Sequence, residues 1–321
     1  MEDVLASIST TLWADYWNYM INFKIILLSI LTEAFPFLLL SVMVSALLNH
    51  FVSENTIRNL IPRSNLLSLF MACFLGAIFP VCDCGMVPIV RRLILKGVPL
   101  PTAIAFMLAA PIINPVVGAA TAFAFQNNTH LVLLRLGTAF LVAFCTGLLL
   151  NLFAKGRQLK SPSQLPHSHL CGCCQPGISS SHPEHSLLHK GLHTIRDASH
   201  EFFEMGKYLL IGAMLGSLSQ ILVPSEILLT MGQHSFLSIG VMMVFAFFIS
   251  VSSAADAFIA ASFTTSFTLG SLVAFMVFGP MMDLKNMLML LHTFRMKFVC
   301  CLTLMIILLC SGAAYLINCL V

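Results

Sequence analysis

The stretch Phe79-Pro80-Val81-Cys82-Asp83-Cys84-Gly85-Met86-Val87-Pro88 lies in a hydrophobic region yet carries two prolines, a glycine and a carboxylate. Proline removes a backbone donor and clashes with the preceding turn, so a helix breaks here and leaves backbone groups unpaired. At membrane depth such groups are tolerated only where protein or a water-filled cavity solvates them. Asp83 is costly in lipid and is expected to face a pathway or a partner. Cys82 and Cys84 flank it, and thiolates prefer soft metals and metalloids. Buried cysteine is also a common core filler, so the thiols alone do not separate transport from packing. The carboxylate and the break beside them tip the balance to a transport site.

The rest of the chain supports the membrane setting. Of 321 residues, 58% are hydrophobic and 9% charged, and the mean hydropathy is +0.94. A soluble domain carries about 25% charged residues, so lipid must solvate much of this surface. A net charge of +3 is too small and scattered to suggest nucleic acid. Eleven cysteines, single or in tight clusters, do not form a small-domain disulfide framework. The first residues are acidic and aromatic rather than basic then apolar, so no cleavable signal is expected. Trp13, Tyr16, Trp17 and Tyr19 precede the first long apolar run and read as an interfacial belt on a short anchoring helix.

Apolar runs long enough to span, or nearly so, cover residues 24–50, 66–80, 101–125 and 131–153, then 202–222, 236–250, 269–282 and 297–318. Two shorter pieces, 86–95 and 257–267, cannot cross a hydrocarbon core of about 30 Å alone and read as half-helices or re-entrant segments. Four parts follow: an interfacial segment at 1–23, a first transmembrane repeat at 24–154, a polar loop at 155–200 and a second repeat at 201–321.

Three matches in the same order suggest an internal duplication. Glu33-Ala-Phe-Pro-Phe pairs with Glu204-Met-Gly-Lys-Tyr, AFMLAAPIINP at 105–115 with AFMVFGPMMDL at 274–284, and the stretch around Arg135 with that around Arg295. Arg58, Arg63, Arg91, Arg92, Lys96, Lys155, Arg157 and Lys160 crowd a few loops, which the positive-inside rule places in the cytoplasm. With both short pieces non-spanning, the second half runs opposite to the first and keeps Lys285, Arg295 and Lys297 cytoplasmic. The expected fold is therefore an all-α polytopic membrane protein of two inverted-topology repeats with broken or re-entrant helices.

The second half supplies counterparts to the first break. Ser250-Val251-Ser252-Ser253-Ala254-Ala255-Asp256 keeps small residues and an acid without thiols. Asp256 reads as a proton or cation carrier opposite Asp83, or as a helix cap. Pro111 and Pro280 each precede a polar residue by three places, Asn114 and Asp283, which are expected to offer side-chain oxygens. Paired interrupted segments at corresponding positions point to a transporter site, although proline kinks are also common in spanning helices. Glu33 and Glu204 open equivalent helices, where an acid is favourable through the helix dipole alone.

The central loop holds seven of the eleven histidines, among them His167 and His169, together with Cys171, Cys173 and Cys174. These are soft-metal ligand types, and zinc or another soft ion could bind there, although no second cysteine pair completes a zinc-finger pattern. Solvated linker composition explains the same loop. Cys73, Cys145, Cys300, Cys301, Cys310 and Cys319 sit in apolar runs and read as packing. No phosphate-cradling glycine loop stands out, so energy must come from an ion gradient, the substrate's own gradient or a separate subunit.

PVCDCGMVP followed by RRLILKGVPLPTAIAFMLAAPIINPVV resembles the predicted-permease family that includes the organoarsenical efflux permease and the YraQ-type proteins. SVSSAADAFIAASF resembles that family's Ser/Asp segment, and the resemblance runs from about residue 33 to the end. It implies a multi-pass permease of the plasma (inner) membrane, in one branch an exporter of trivalent organoarsenicals. Cys82, Asp83, Cys84 and Asn114 fall in the family motif. The long Cys/His loop does not belong to that motif and shifts the expected cargo toward soft metals such as zinc. The expected activity is thus export of a soft metal, metalloid or organoarsenical, with membrane lipid around the chain and a homo-oligomer or second membrane subunit as partner. No enzyme activity is expected. The rival reading is a metal-binding or thiol-redox subunit of a multi-component complex.

Overall fold

The computed structural model describes residues 2–51, 64–76, 82–126, 128–153, 187–222, 235–249 and 251–320, together with Leu159. Helices α1 (Glu2–Phe51), α2 (Asn65–Gly76), α3 (Asp83–Leu95), α4 (Leu100–Ala109), α5 (Pro115–Ala124) and α6 (Thr129–Phe153) come from the first half. Helices α7 (Leu187–Leu222), α8 (Ser235–Ile249), α9 (Ala255–Ser262), α10 (Leu269–Met281), α11 (Leu284–Thr293) and α12 (Met296–Leu320) come from the second. Among the described residues the only extended pairing is one isolated bridge, Leu159 with Phe294. The protein is an all-α membrane protein.

Four segments are long and apolar enough to span: Trp17–Leu47, Thr129–Leu152, Leu269–Thr293 and Met296–Leu320. The first belongs to α1, which continues unbroken from Glu2, so the belt residues ride on the first spanning helix rather than on a separate short one. Trp17 and Tyr19 are exposed on it. Fifty residues at about 1.5 Å each reach about 75 Å, well beyond a hydrocarbon core of about 30 Å. The third segment joins α10 and α11 through a break at Met282 and Asp283, and it is 83% buried where the first is 28% buried. α10 is therefore the centre of the bundle, while α1 and α12 present large apolar faces outward.

Proline and a capping side chain explain where helices stop. The run 101–125 does not cross as one helix. Pro111 interrupts it, and Asn114 restarts it as α5 with Pro115 in the first turn. α3 has 13 residues and α9 has 8, about 20 and 12 Å, so neither crosses alone. Both short pieces are half-helices, as their length in the sequence required.

Packing repeats between the two sets. α2 packs on α4 as α8 packs on α10; α4 on α6 as α10 on α12; α3 on α11 as α9 on α5. Corresponding helices also meet one another, α1 with α7, α4 with α10 and α6 with α12. One close approach bears on the site. A Cβ on Gly212 of α7 would lie 2.8 Å from Lys285 Cα, so only glycine lets α7 lie this close to the start of α11.

Candidate functional site

The amino ends of the half-helices α3, α5 and α11, and the segment leading into α9, converge on one cavity of about 400 Å³. Its lining includes Cys82, Asp83, Cys84, Asn114, Ser252, Ser253, Gln220 and Lys285, with Glu33 and apolar residues of α1 forming a wall. Helix amino ends present unpaired N–H groups and a partial positive charge. Acids and amides at those ends are the expected complement, and the chain places one at each.

Cys82 precedes α3 in extended conformation and Asp83 begins the helix. Asp83 and Cys84 are buried, each 3% exposed, while Cys82 is half-buried at the cavity. One ligand atom from each of the three lies within 4.8 Å of the others, the only such group of metal-ligating side chains among the described residues. Asp83 Oδ2 is buried without a hydrogen-bond partner. Pro88, inside α3, offers no N–H to the Cys84 carbonyl four residues back.

The proline-paired positions act as caps. Asn114 Oδ1 accepts from Val116 N (2.7 Å) and Val117 N (3.2 Å), and Asp283 Oδ1 accepts from Asn286 N (2.6 Å). Their oxygens thus hold α5 and α11 in place. The Asn114 side chain also lines the cavity, whereas Asp283 lies behind it, 1% exposed, with Oδ2 at 3.5 Å from Lys285 Nζ.

Asp256, the second residue of α9, is not at the cavity wall. It is 3% exposed with Oδ2 unpartnered, and a Cβ at Gly279 would come within 3.2 Å of that oxygen. Its helix begins after Ala254 without a side-chain cap, and Ser252 Oγ accepts a long contact from Ala255 N (3.5 Å). The cluster therefore gathers Cys82, Asp83, Cys84 and Asn114 at the cavity, with Asp283 and Asp256 one layer behind.

Two buried cations were not expected there. Lys285 is 4% exposed and lines the cavity, rather than lying in a basic loop, because Asp283 two residues earlier holds its ammonium. Arg135 is fully buried in α6 and binds Thr121, Ser253 and Met276. A guanidinium inside a spanning run was the sequence signal for it, since such a charge must find partners in the bundle. Arg295, with which this stretch is paired in the sequence, is exposed ahead of α12 where Arg135 is buried. Gln220 is the other missed lining residue; its Nε2 donates to the Ile249 carbonyl.

At the far ends of α3 and α11 lies a second polar layer. Arg92 Nη2 meets Glu201 Oε2 at 3.5 Å, and Ser45 Oγ donates to the same oxygen at 3.0 Å. Arg91 and His292 both approach Glu204, at 3.9 and 3.0 Å, and the His292 ring stacks on Tyr208. Glu204 is thus tied into a network, not left as a simple dipole partner. Cys73 and Cys310 are buried packing residues, while Cys300, Cys301 and Cys319 are exposed on α12. His167, His169, Cys171, Cys173 and Cys174 lie outside the described residues.

Residues 20–319 match the family described as "Predicted permease". A UPF0718 protein, YcgR, of Bacillus subtilis (strain 168) is 42% identical over 293 residues, 91% of this chain and 96% of that protein. A Streptococcus mutans protein with the printed name "Putative two-component membrane permease complex subunit" is 37% identical over 274 residues, 85% of this chain and 87% of its own. No solved structure matches.

Proposed function

Given that the chain belongs to this family of predicted permeases, a multi-pass protein of the plasma membrane, we propose that it exports a soft metal, metalloid or organoarsenical through the cavity at its broken helices. The observation that carries the reading is the Cys82–Asp83–Cys84 group, whose ligand atoms lie within 4.8 Å of one another at the cavity. Two thiols select a thiophilic centre and the carboxylate adds charge. Asn114 adds a polar contact from the α5 cap. Asp283 and Asp256 act from behind the wall, the first by orienting Lys285 and the second by its negative charge.

The repeated helix order and packing support two repeats. With the half-helices non-spanning, the second repeat is inverted, and the cavity sits between repeats as in other alternating-access carriers. The basic ends of α3 then face the cytoplasm, which puts the Arg91–Glu204 and Arg92–Glu201 layer on the inner side of the cavity. The chain draws on an ion gradient or its cargo's own gradient. The Cys/His residues of the central loop, His167, His169, Cys171, Cys173 and Cys174, collect soft metal on the cytoplasmic side.

Flux into proteoliposomes of the purified chain tests this, comparing zinc with a trivalent methyl-arsenical. The Cys82→Ser/Cys84→Ser double variant and Asp83→Asn should lose flux of the transported solute while remaining folded. Flux unchanged in both variants would sink the assignment of the site.

A second reading is favoured by the Streptococcus mutans relative, whose name makes it a subunit of a two-component complex. Here the chain works only with a second membrane subunit, as a metal-binding or thiol-redox partner in the extreme case. Flux that is absent from the single folded chain, and restored by co-reconstitution with a co-purifying membrane protein, selects this reading.

A further inference from the structure

The two halves treat their helix breaks differently. In α10, Pro280 has no N–H, so the Met276 carbonyl four residues back loses its helical donor. Ahead of α9, the chain at Val251 and Ser252 is non-helical, and the Ser253 carbonyl points to a donor from elsewhere. Arg135 serves both. Its Nη2 donates to Ser253 O at 2.6 Å and Met276 O at 3.2 Å, and its Nη1 donates to Thr121 Oγ1 at 2.7 Å. The side chain comes from α6 of the first half and is fully buried, and Asp256 is the acid that acts on it electrostatically.

Interrupted membrane helices coordinate sodium through unwound backbone carbonyls, and here two backbone carbonyls stand with a hydroxyl and a nearby carboxylate as further oxygen ligands. Here the guanidinium stands where that ion would. The helix matched to α6 by length and packing, α12, carries no buried cation at the same turn. α6 and α12 are each 25 residues long, and Arg135 is the seventh residue of α6. The seventh residue of α12 is Leu302, equally buried and without charge.

We propose that Arg135 is a tethered cation filling the oxygen cage of the second helix break, so that only the first break binds a mobile cation and transport does not depend on sodium. The proposal rests on the reading of the first break as the substrate site. Arg135 is a positioning residue: it contacts the cage and not the thiol group.

The test replaces Arg135 with Met, which empties the cage, and with Lys, which keeps a cation on the tether. Thermal unfolding of the purified chains is followed as sodium replaces choline at constant ionic strength. The midpoint of Arg135→Met should rise by about 2–4 °C once sodium is roughly tenfold above its Kd, while wild type and Arg135→Lys stay flat. Wild-type flux should be equal in sodium and choline. A folded Arg135→Met with no sodium response, or wild-type flux that requires sodium, overturns the proposal. If Arg135→Met does not fold, a wild-type midpoint that rises with sodium also overturns it, and a flat one together with sodium-independent flux upholds it. Absence of any wild-type flux instead counts against the permease reading and leaves the unfolding comparison intact.

Discussion

Substituting Gly212 with Ala probes the packing that carries Lys285 to the cavity. A Cβ built there lies 2.8 Å from Lys285 Cα and 3.1 Å from its Cγ, whereas ordinary contacts are 3.4–4 Å. Relief needs a shift of roughly 0.6–1.2 Å, and the nearest atom is backbone, which cannot rotate away. Overpacking of this kind costs about 1–3 kcal/mol. Gly206 lies on the same helix, and a Cβ there meets nothing within 4 Å. Because glycine in a helix interior is about 1 kcal/mol worse than alanine, Gly206→Ala should stabilise by up to that amount. The two variants should therefore shift the thermal midpoint in opposite directions. On the proposed reading Gly212→Ala should also lower flux of the transported solute into proteoliposomes, because Lys285 moves at the cavity. Equal midpoint shifts in the two variants would refute the close packing of α7 on α11.

Two further outcomes follow from the site. Asn114→Ala removes two cap hydrogen bonds and should destabilise by about 0.5–2 kcal/mol, whereas Asn114→Asp keeps the cap and the midpoint; an unchanged midpoint in the alanine variant would show that the cap contributes nothing. Deleting residues 163–184 of the central loop should leave basal flux in proteoliposomes, since α1, α3, α5, α11 and the segment before α9 line the cavity, and complete loss of flux would move the essential chemistry to the loop.

Much of this was legible because membrane physics penalises the informative residues. Pro111 follows the end of α4 and Pro280 stands in the last turn of α10 just before the break at Met282, and Asp83 cannot sit in hydrocarbon without a reason. The cap roles of Asn114 and Asp283 follow from their places just after those breaks, yet only coordinates separate an oxygen held by backbone N–H groups from one facing a substrate. Lys285 was misplaced because loop charge counting treats every lysine as solvated, and its partner Asp283 is two residues away, a local pairing that charge counting ignores. Arg135 was used as a repeat marker when its burial made it a tertiary contact between halves. The proposed duplication shows in the sequence only as short matches; the like packing of α2 on α4 and of α8 on α10 adds a spatial correspondence that short matches do not contain.

Charge at the breaks decides where a cation belongs. Three carboxylates are buried there, Asp83, Asp256 and Asp283, against two cations, Lys285 and Arg135. Lys285 holds Asp283 at 3.5 Å, and Arg135 acts on Asp256 from within the second break. Asp83 and Asp256 each keep an unpartnered Oδ2, but only Asp83 sits at the cavity with two thiols as its neighbours in sequence, and Lys285 divides its charge between Asp283 and Asp83. A buried carboxylate with an unpaired oxygen is costly, and Asp83 is the one of the three that a cation in the cavity can reach directly. The two breaks are thus unequal: Asp256 faces the guanidinium of Arg135, and Asp83 faces the cavity.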